Sequence, residues 1–378
     1  MLIRRRFVIP FIVTALLTGV FSLARAADVA VIHSSEVPSR WTDAFVRGLA
    51  DGLGDEASVE QGWLGPSDRG DDFFETRFEV LEKQFHDTEP AVVVTDGSTA
   101  FSFIRKYRES LFPGVPVVYC AITRPEPEYL RQCGECTGIP MPLSIGETVH
   151  LIFRLRPDTT TVVGIMDGSP ETLKYRRKAE AAMEPYLDHA EIVFPGNEYG
   201  DEGGLDAELV RTVANSVPRR GAVLFLGFDR DNAGKQVDPA AIVETLAARS
   251  AAPVFGLTDQ WMDSGMLGGV MVRAQAQGAT AAQVVRRILA GESAAEMLPE
   301  AVQPVPVVDF TALTRFGIPP TRLSDDTLAV NVPQHPEEPS GAISTGTVLG
   351  LAGAVALALL AVMVRRRSGA ARGRKSGQ

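Results

Sequence analysis

Cys133-Gly134-Glu135-Cys136 places two thiols three positions apart, close enough to react with each other. Thr137 rather than His follows the pair, so it is not a haem-attachment motif. A redox-active pair normally opens a helix in a thioredoxin-like unit. This one precedes a Gly-Ile-Pro run and is expected in a loop, as a small structural disulfide rather than two free thiols. Cys120 lies inside an apolar run, where an inert core thiol is expected. The five histidines, His33, His86, His150, His189 and His335, are far apart and lack metal-ligand spacing. His33 closes the first apolar run, as a packing or solvated residue or as one facing a cleft. The chain contains no G-x-S-x-G, H-E-x-x-H, P-loop or helix-opening G-x-G-x-x-G. Enzyme activity, a metal and a cofactor are therefore not expected.

The remaining polar candidates cluster where apolar runs end. In the first half they are Ser34, Ser35, Asp96, Gly97, Ser98 and Tyr119; in the second they are Asp167, Gly168, Ser169, Asp229, Arg230, Trp261 and Asp263. Helix N-termini behind Ser34-Ser35 and behind Asp96-Gly97-Ser98 would offer free N–H groups to a carboxylate. Asp229 or Asp263 could hold an ammonium, and Tyr119 and Trp261 could pack an apolar side chain. A small zwitterion such as an aromatic amino acid fits this division. A peptide, sugar or other solute is the alternative, since Arg230 could meet an anion and Asp96 could repel a carboxylate. Ser98 and Ser169 also read as helix caps, and Asp229 and Arg230 as turn residues.

These residues must be positioned by alternating strands and helices. Strands are expected at 28–33, 91–95, 115–122, 159–166, 190–194, 222–228 and 253–257, as short apolar runs, the first with β-branched residues. Helices are expected where Trp41, Phe45, Leu49 and Leu53 recur every fourth residue, where Phe74, Phe78, Leu81 and Phe85 make a second face, and after Ser98, Pro170, Leu205 and Ile242. Repeated β-α-β units imply two doubly wound parallel-sheet lobes. Ligands of such sheets bind beyond the carboxyl ends of the strands, here in a cleft between the lobes. The first lobe is expected at 27–142, with 264–300 returning to it, the second at 143–263, and a closing segment at 301–331.

The two ends carry targeting signals. Arg4, Arg5 and Arg6, an apolar run from Phe7 to Val20, and Ala24-Arg25-Ala26 form a signal peptide over 1–26, with cleavage expected before Ala27. A Pro-rich linker, 332–341, leads to an uncharged segment, 342–364, long enough to cross a bilayer. The basic tail 365–378 follows and belongs on the cytoplasmic side. The expected topology is a single-pass inner-membrane protein with residues 27–341 in the periplasm. Removing the ten basic residues of the two ends from the 37 in the chain leaves 27 basic against 47 acidic residues, a net charge of −20. Such a surface would repel nucleic acid and anionic lipid. Gly346, Gly350 and Ala354 form a small-residue stripe that would let the segment pair as a homodimer.

The stretch PVFGLTDQWMDSGMLGGVMVRAQAQGATAAQVVRRILAGE from Pro253 carries a G-x-x-G-G turn at Gly265, Gly268 and Gly269 and closes at Ile288–Glu292. With Val307–Ile318 (VVDFTALTRFGI), it resembles the ABC-transporter substrate-binding-protein-like family over 27–331. The resemblance implies a type I periplasmic-binding fold and capture of a small-molecule solute, in some members an aromatic amino acid. Partners implied are an ABC permease or a membrane signalling protein. The 14 residues after 342–364 hold no kinase or cyclase module, and a C-terminal membrane helix is unusual for the importer type. A competing reading, from Pro336-Glu337-Glu338-Pro339 before an apolar segment and arginines, is a surface or structural protein with a sorting-type tail.

Overall fold

The computed structural model describes residues 28–65, 71–123, 125, 127–196 and 204–333. The expected signal, the membrane segment, the basic tail and all but the first two residues of the linker lie outside the described residues. Among those described, no helix is long and apolar enough to cross a membrane.

The first sheet contains β1 (Val29–His33), β2 (Val59–Trp63), β3 (Val92–Asp96), β4 (Val117–Ile122) and β5 (Cys136–Pro140) in the order β2-β1-β3-β4-β5, with every pairing parallel. All five residues of β1 and of β3 are buried, as continuous apolar runs covered on both faces should be. One face carries α1 (Arg40–Leu53) and α9 (Ala274–Leu289). The other carries α2 (Asp71–Gln84) and α3 (Ser98–Leu111), and α4 (Pro127–Cys133) leads into β5.

Helix α1 forms as its pattern predicts: Trp41, Phe45, Leu49 and Leu53 are all buried. Ser39 caps it reciprocally with Thr42, accepting from the Thr42 N–H at 3.3 Å while its own N–H donates to Thr42 Oγ1 at 2.8 Å. Its backbone meets that of α9 directly. A Cβ on Gly278 would collide with the Phe45 carbonyl oxygen, so only glycine lets the two helices approach this closely.

The second sheet contains β6 (Thr161–Met166), β7 (Glu191–Val193), β8 (Gly221–Gly227), β9 (Val254–Phe255), β10 (Gly268–Met271), β11 (Val305–Asp309) and β12 (Leu328–Val330), in the order β12-β11-β10-β9-β8-β6-β7. Helices α5 (Ile145–Leu155), α6 (Pro170–Met183) and α10 (Phe310–Arg315) cover one face, and α7 (Val210–Ser216) and α8 (Pro239–Arg249) the other.

Several expectations need correction. This sheet is mixed, because β11 runs antiparallel to β10. The return to the first lobe does not begin at 264: β10 pairs with β9 and β11, so the returning segment starts with α9 and runs on through Met297 and Glu300, whose backbone meets β5 at Thr137 and Gly138. Residues 301–331 do not merely close the chain but supply β11 and β12 to the second sheet. The helix expected from Leu205 starts at Val210. The chain therefore crosses between lobes three times among the described residues, after β5, after β10 and before β11.

Candidate functional site

The carboxyl ends of both sheets face one cleft of about 440 Å³. The first lobe contributes the loop after β1 (Ser34, Ser35, Glu36), the start of α1 (Ser39, Trp41, Thr42) and the end of β3 (Asp96, Gly97). The second contributes Asp229, Gln236, Pro239, Thr258, Gln260 and Trp261, and Ala121 and Met141 lie near the first crossing. A side pocket of about 180 Å³ shares Asp229, Pro239, Thr258, Gln260 and Trp261 and continues into apolar walls of Leu143, Phe225, Leu226, Phe228 and Leu257.

The floor of the first lobe is a buried polar chain. Asp96 is 4% exposed and both its carboxylate oxygens are engaged: Trp41 Nε1 donates to Oδ1 at 2.9 Å, and His33 Nδ1 lies 2.8 Å from Oδ2. His33, fully buried, stacks on Trp63 and reaches Gln61 Oε1 with Nε2 at 3.2 Å. Asp96 thus fixes the indole of Trp41 at the cleft wall and has no oxygen left without a protein partner. Ser34 Oγ donates to the Asp96 carbonyl at 2.8 Å and accepts from the Ala100 N–H at 3.0 Å. Across the gap between strands, it caps α3. The cap residue of α3 is accordingly Gly97, with φ of 95°, and Ser98 is the first helical residue, exposed and off the cleft wall. Ser35 Oγ, in the loop that lines the cleft, is buried and has no hydrogen-bond partner among the described residues. The helix behind that loop starts only at Arg40, not behind Ser34-Ser35.

In the second lobe, Asp167 is 5% exposed and turned inward. It accepts from the Ser169 N–H at 3.0 Å, from Thr172 Oγ1 at 2.7 Å and from the Asp229 N–H at 3.1 Å. It is a brace for Asp229 rather than part of the cleft wall. Ser169 caps α6, and Gly168 sits beside it, away from the wall. Asp229 does line the cleft, with its residue open to solvent there; the protein crowded around its carboxyl, reinforced by the Asp167 charge and opposed by Arg230, holds it above the usual range.

Three further expected contacts lie elsewhere. Tyr119 is fully buried on the opposite face of the first sheet, packed on Phe101, where burial pushes its phenol up to about 12. Arg230 is exposed and donates to the Gly234 carbonyl in its own hairpin at 3.3 Å. Asp263, in the turn after β9, pairs with Arg40 of α1, an ion pair joining the two lobes. Of the thirteen expected residues the cleft gathers Ser34, Ser35, Asp96, Gly97, Asp229 and Trp261. Sequence reasoning missed Ser39, Trp41 and Thr42. The S-R-W-T run at 39–42 carries a cap signal that could have placed a helix N-terminus there.

Backbone strain also marks this region. Ala121 has φ of 56° where β4 pairs irregularly with β5, and its N–H donates to Gln277 Oε1 at 3.2 Å. Gln277 of α9 is fully buried and donates in turn to the Pro140 carbonyl at 3.3 Å. One side chain so ties α9 to both strands at the first crossing.

Cys133 and Cys136 form a disulfide, but not within a loop: Cys133 is the last residue of α4 and Cys136 the first of β5. Cys120 is free and buried, and burial, with Asp96 nearby, pushes its thiol up.

No protein-family model matches the chain, and no curated protein matches it by sequence. Solved structures do match by shape. The ABC domain in complex with L-Trp from Streptococcus pneumonia superposes with a TM-score of 0.57 at 17% identity, covering 81% of this chain and 100% of that one. A conserved domain protein from Vibrio cholerae O1 biovar eltor gives 0.57 at 16% identity, over 81% and 99%. The ligand-free, open form of a substrate binding protein with adhesive properties from Clostridium difficile gives 0.55 at 14%, over 81% and 100%. At these identities the likeness carries the fold, and the chain has the two α/β lobes of the type I periplasmic-binding fold.

Proposed function

We propose that this protein is a solute-binding protein that closes its two lobes on a small zwitterion, an aromatic amino acid being the best fit, and is tethered to the inner membrane by 342–364 with its lobes in the periplasm. The observation that carries the reading is the cleft itself: both lobes wall it, with hydroxyls and helix N-termini on one side and Asp229 beside an apolar pocket on the other. In this reading the ligand carboxylate faces Ser35 and the N-termini of α1 and α3. Its ammonium meets Asp229. Its side chain lies between Trp41 and Trp261 or enters the pocket of Phe225 and Leu257. A solved structure of the same fold holds L-Trp. Closure makes the protein a donor of solute to an ABC permease or a reporter to a membrane signalling partner.

Calorimetry of the full-length protein with tryptophan, tyrosine, phenylalanine and leucine is the test. One of them should bind, and Asp229→Ala should weaken it by ~1.5–3 kcal/mol, the worth of a hydrogen bond to a charged group. Because Asp229 titrates above the usual ~3.9 of an aspartate, its charge and the affinity should fall as pH drops through that raised value. If none of the four binds while a non-amino-acid solute does, the zwitterion assignment fails.

A further inference from the structure

The Cys133–Cys136 disulfide lies at the outer edge of the first sheet, where α4 hands over to the edge strand β5, and takes no part in the cleft. Its two sulfurs have unlike surroundings. Cys136 is buried, at 9% exposed, whereas Cys133 is partly open to solvent. Arg108 of α3 is itself buried and reaches Cys133: Nη1 donates to the Cys133 carbonyl at 2.7 Å and lies 3.5 Å from Cys133 Sγ. Arg108 Nε has no hydrogen-bond partner among the described residues. Its ion pair with Glu109 is long, at 3.9 Å, and the Glu109 carboxylate is largely exposed, so it screens the guanidinium weakly. Glu135, between the cysteines, accepts from Ser293 Oγ at 3.0 Å. The C-terminal end of α4 disfavours negative charge on Cys133, and the Arg108 bond to that carbonyl offsets this.

We infer that Cys133–Cys136 is an exchangeable disulfide, with Cys133 as its reactive sulfur and a thiol–disulfide couple of the glutathione type as its partner. A partner thiolate attacks Cys133 Sγ. The S–S bond breaks, and its electron pair leaves on Cys136 Sγ, which takes a proton from solvent. A second partner thiolate attacks the partner's sulfur in the mixed disulfide and expels Cys133 as a thiolate beside Arg108, which a proton then neutralises or the guanidinium holds. Two partner thiols are oxidised to one disulfide, and the protein disulfide is reduced to two thiols. The reverse reaction uses the Cys133 thiolate as nucleophile and Cys136 as the resolving thiol.

The test incubates the full-length protein in a series of reduced-to-oxidised glutathione ratios, quenches with an alkylating agent and reads intact mass. Reduced and oxidised populations should coexist at intermediate ratios, with Cys120 as the buried internal control. A protein that stays oxidised across the whole series, and opens only when unfolded, overturns the inference. Cys136→Ser should trap glutathione on Cys133 faster than Cys133→Ser traps it on Cys136; the opposite order overturns the assignment of the reactive sulfur. If Arg108→Leu raises the thiol pKa by one unit, the thiolate falls tenfold while its nucleophilicity rises about threefold, so exchange should slow roughly threefold. Arg108→Lys should restore most of the rate. Leucine at the wild-type rate would remove Arg108 from the account.

Discussion

Replacing Trp41 by Phe isolates one bond of the buried chain beneath the cleft. The phenyl ring keeps most of the apolar contact of a residue only 7% exposed, but it deletes the indole donor that holds Asp96 Oδ1 at 2.9 Å. Asp96 is 4% exposed, and its other oxygen is already committed to His33 at 2.8 Å. A hydrogen bond to a charged group is worth ~1.5–3 kcal/mol, and leaving a buried acceptor unpaired costs at least as much. Trp41→Phe should therefore lower the unfolding free energy of the first lobe by ~2–3 kcal/mol, measured by urea denaturation followed by circular dichroism with an unchanged slope. Asp96→Asn should cost less in the Trp41→Phe background than alone, with a coupling of about 1 kcal/mol or more in the double-mutant cycle. A single-mutant loss under ~0.5 kcal/mol, or full additivity, would mean that the indole N–H is not what holds the carboxylate.

Gly278→Val should be among the most damaging single changes in the first lobe, costing ~4 kcal/mol or more, because the new side chain falls on the backbone of α1 at Phe45 and Leu49. Urea denaturation or soluble yield reads this, and a loss under ~1 kcal/mol would show that the helices can separate cheaply. Arg40→Ala breaks the ion pair to Asp263, whose side chains are 42% and 63% exposed. An exposed pair is worth ~0–1 kcal/mol, so ligand affinity should change less than about fivefold. Calorimetry should find the difference erased in high salt. A tenfold effect, or one that salt leaves intact, would show the pair to be more than a surface contact.

What the sequence made legible follows from burial. β1, β3 and β8 are continuous apolar runs because both their faces are covered, and a composition signal of that kind survives without an alignment. β2 (VEQGW) and β5 (CTGIP) left no such signal: both are edge strands, one polar and half-exposed, the other interrupted by Gly and ending at Pro. The site was legible to the level of strand ends, not of strand faces. Tyr119 sits near the end of β4, but the two-residue period turns it toward α3, while Val118 and Cys120 face α1 and α9. Trp41 was read as core, and it is; nothing in a four-residue repeat discloses that its N–H points at Asp96 in the wall of a cleft. Arg230 and Asp263 illustrate the opposite failure: Arg230 turns back on the Gly234 carbonyl of its own hairpin and Asp263 pairs across the lobes with Arg40, partners that spacing does not encode.

The return of α9 to the first lobe sets the order in which a growing chain can complete itself. The α1 face of the first sheet is sealed by Ala281, Ala282, Val285 and Ile288, which belong to α9 and follow most of the second lobe in the chain. At ribosomal speeds of ~5–20 residues per second, about 7–30 s pass between completion of β5 and completion of α9. Throughout that interval the N-terminal segment has its strands and α1 but not α9, and the part of its apolar face that α9 will cover is open to other nascent chains or to a chaperone. Neither lobe is a separable piece of polypeptide: a chain stopped just before Ala274 would own every strand of the first sheet and still lack the helix that makes it a lobe.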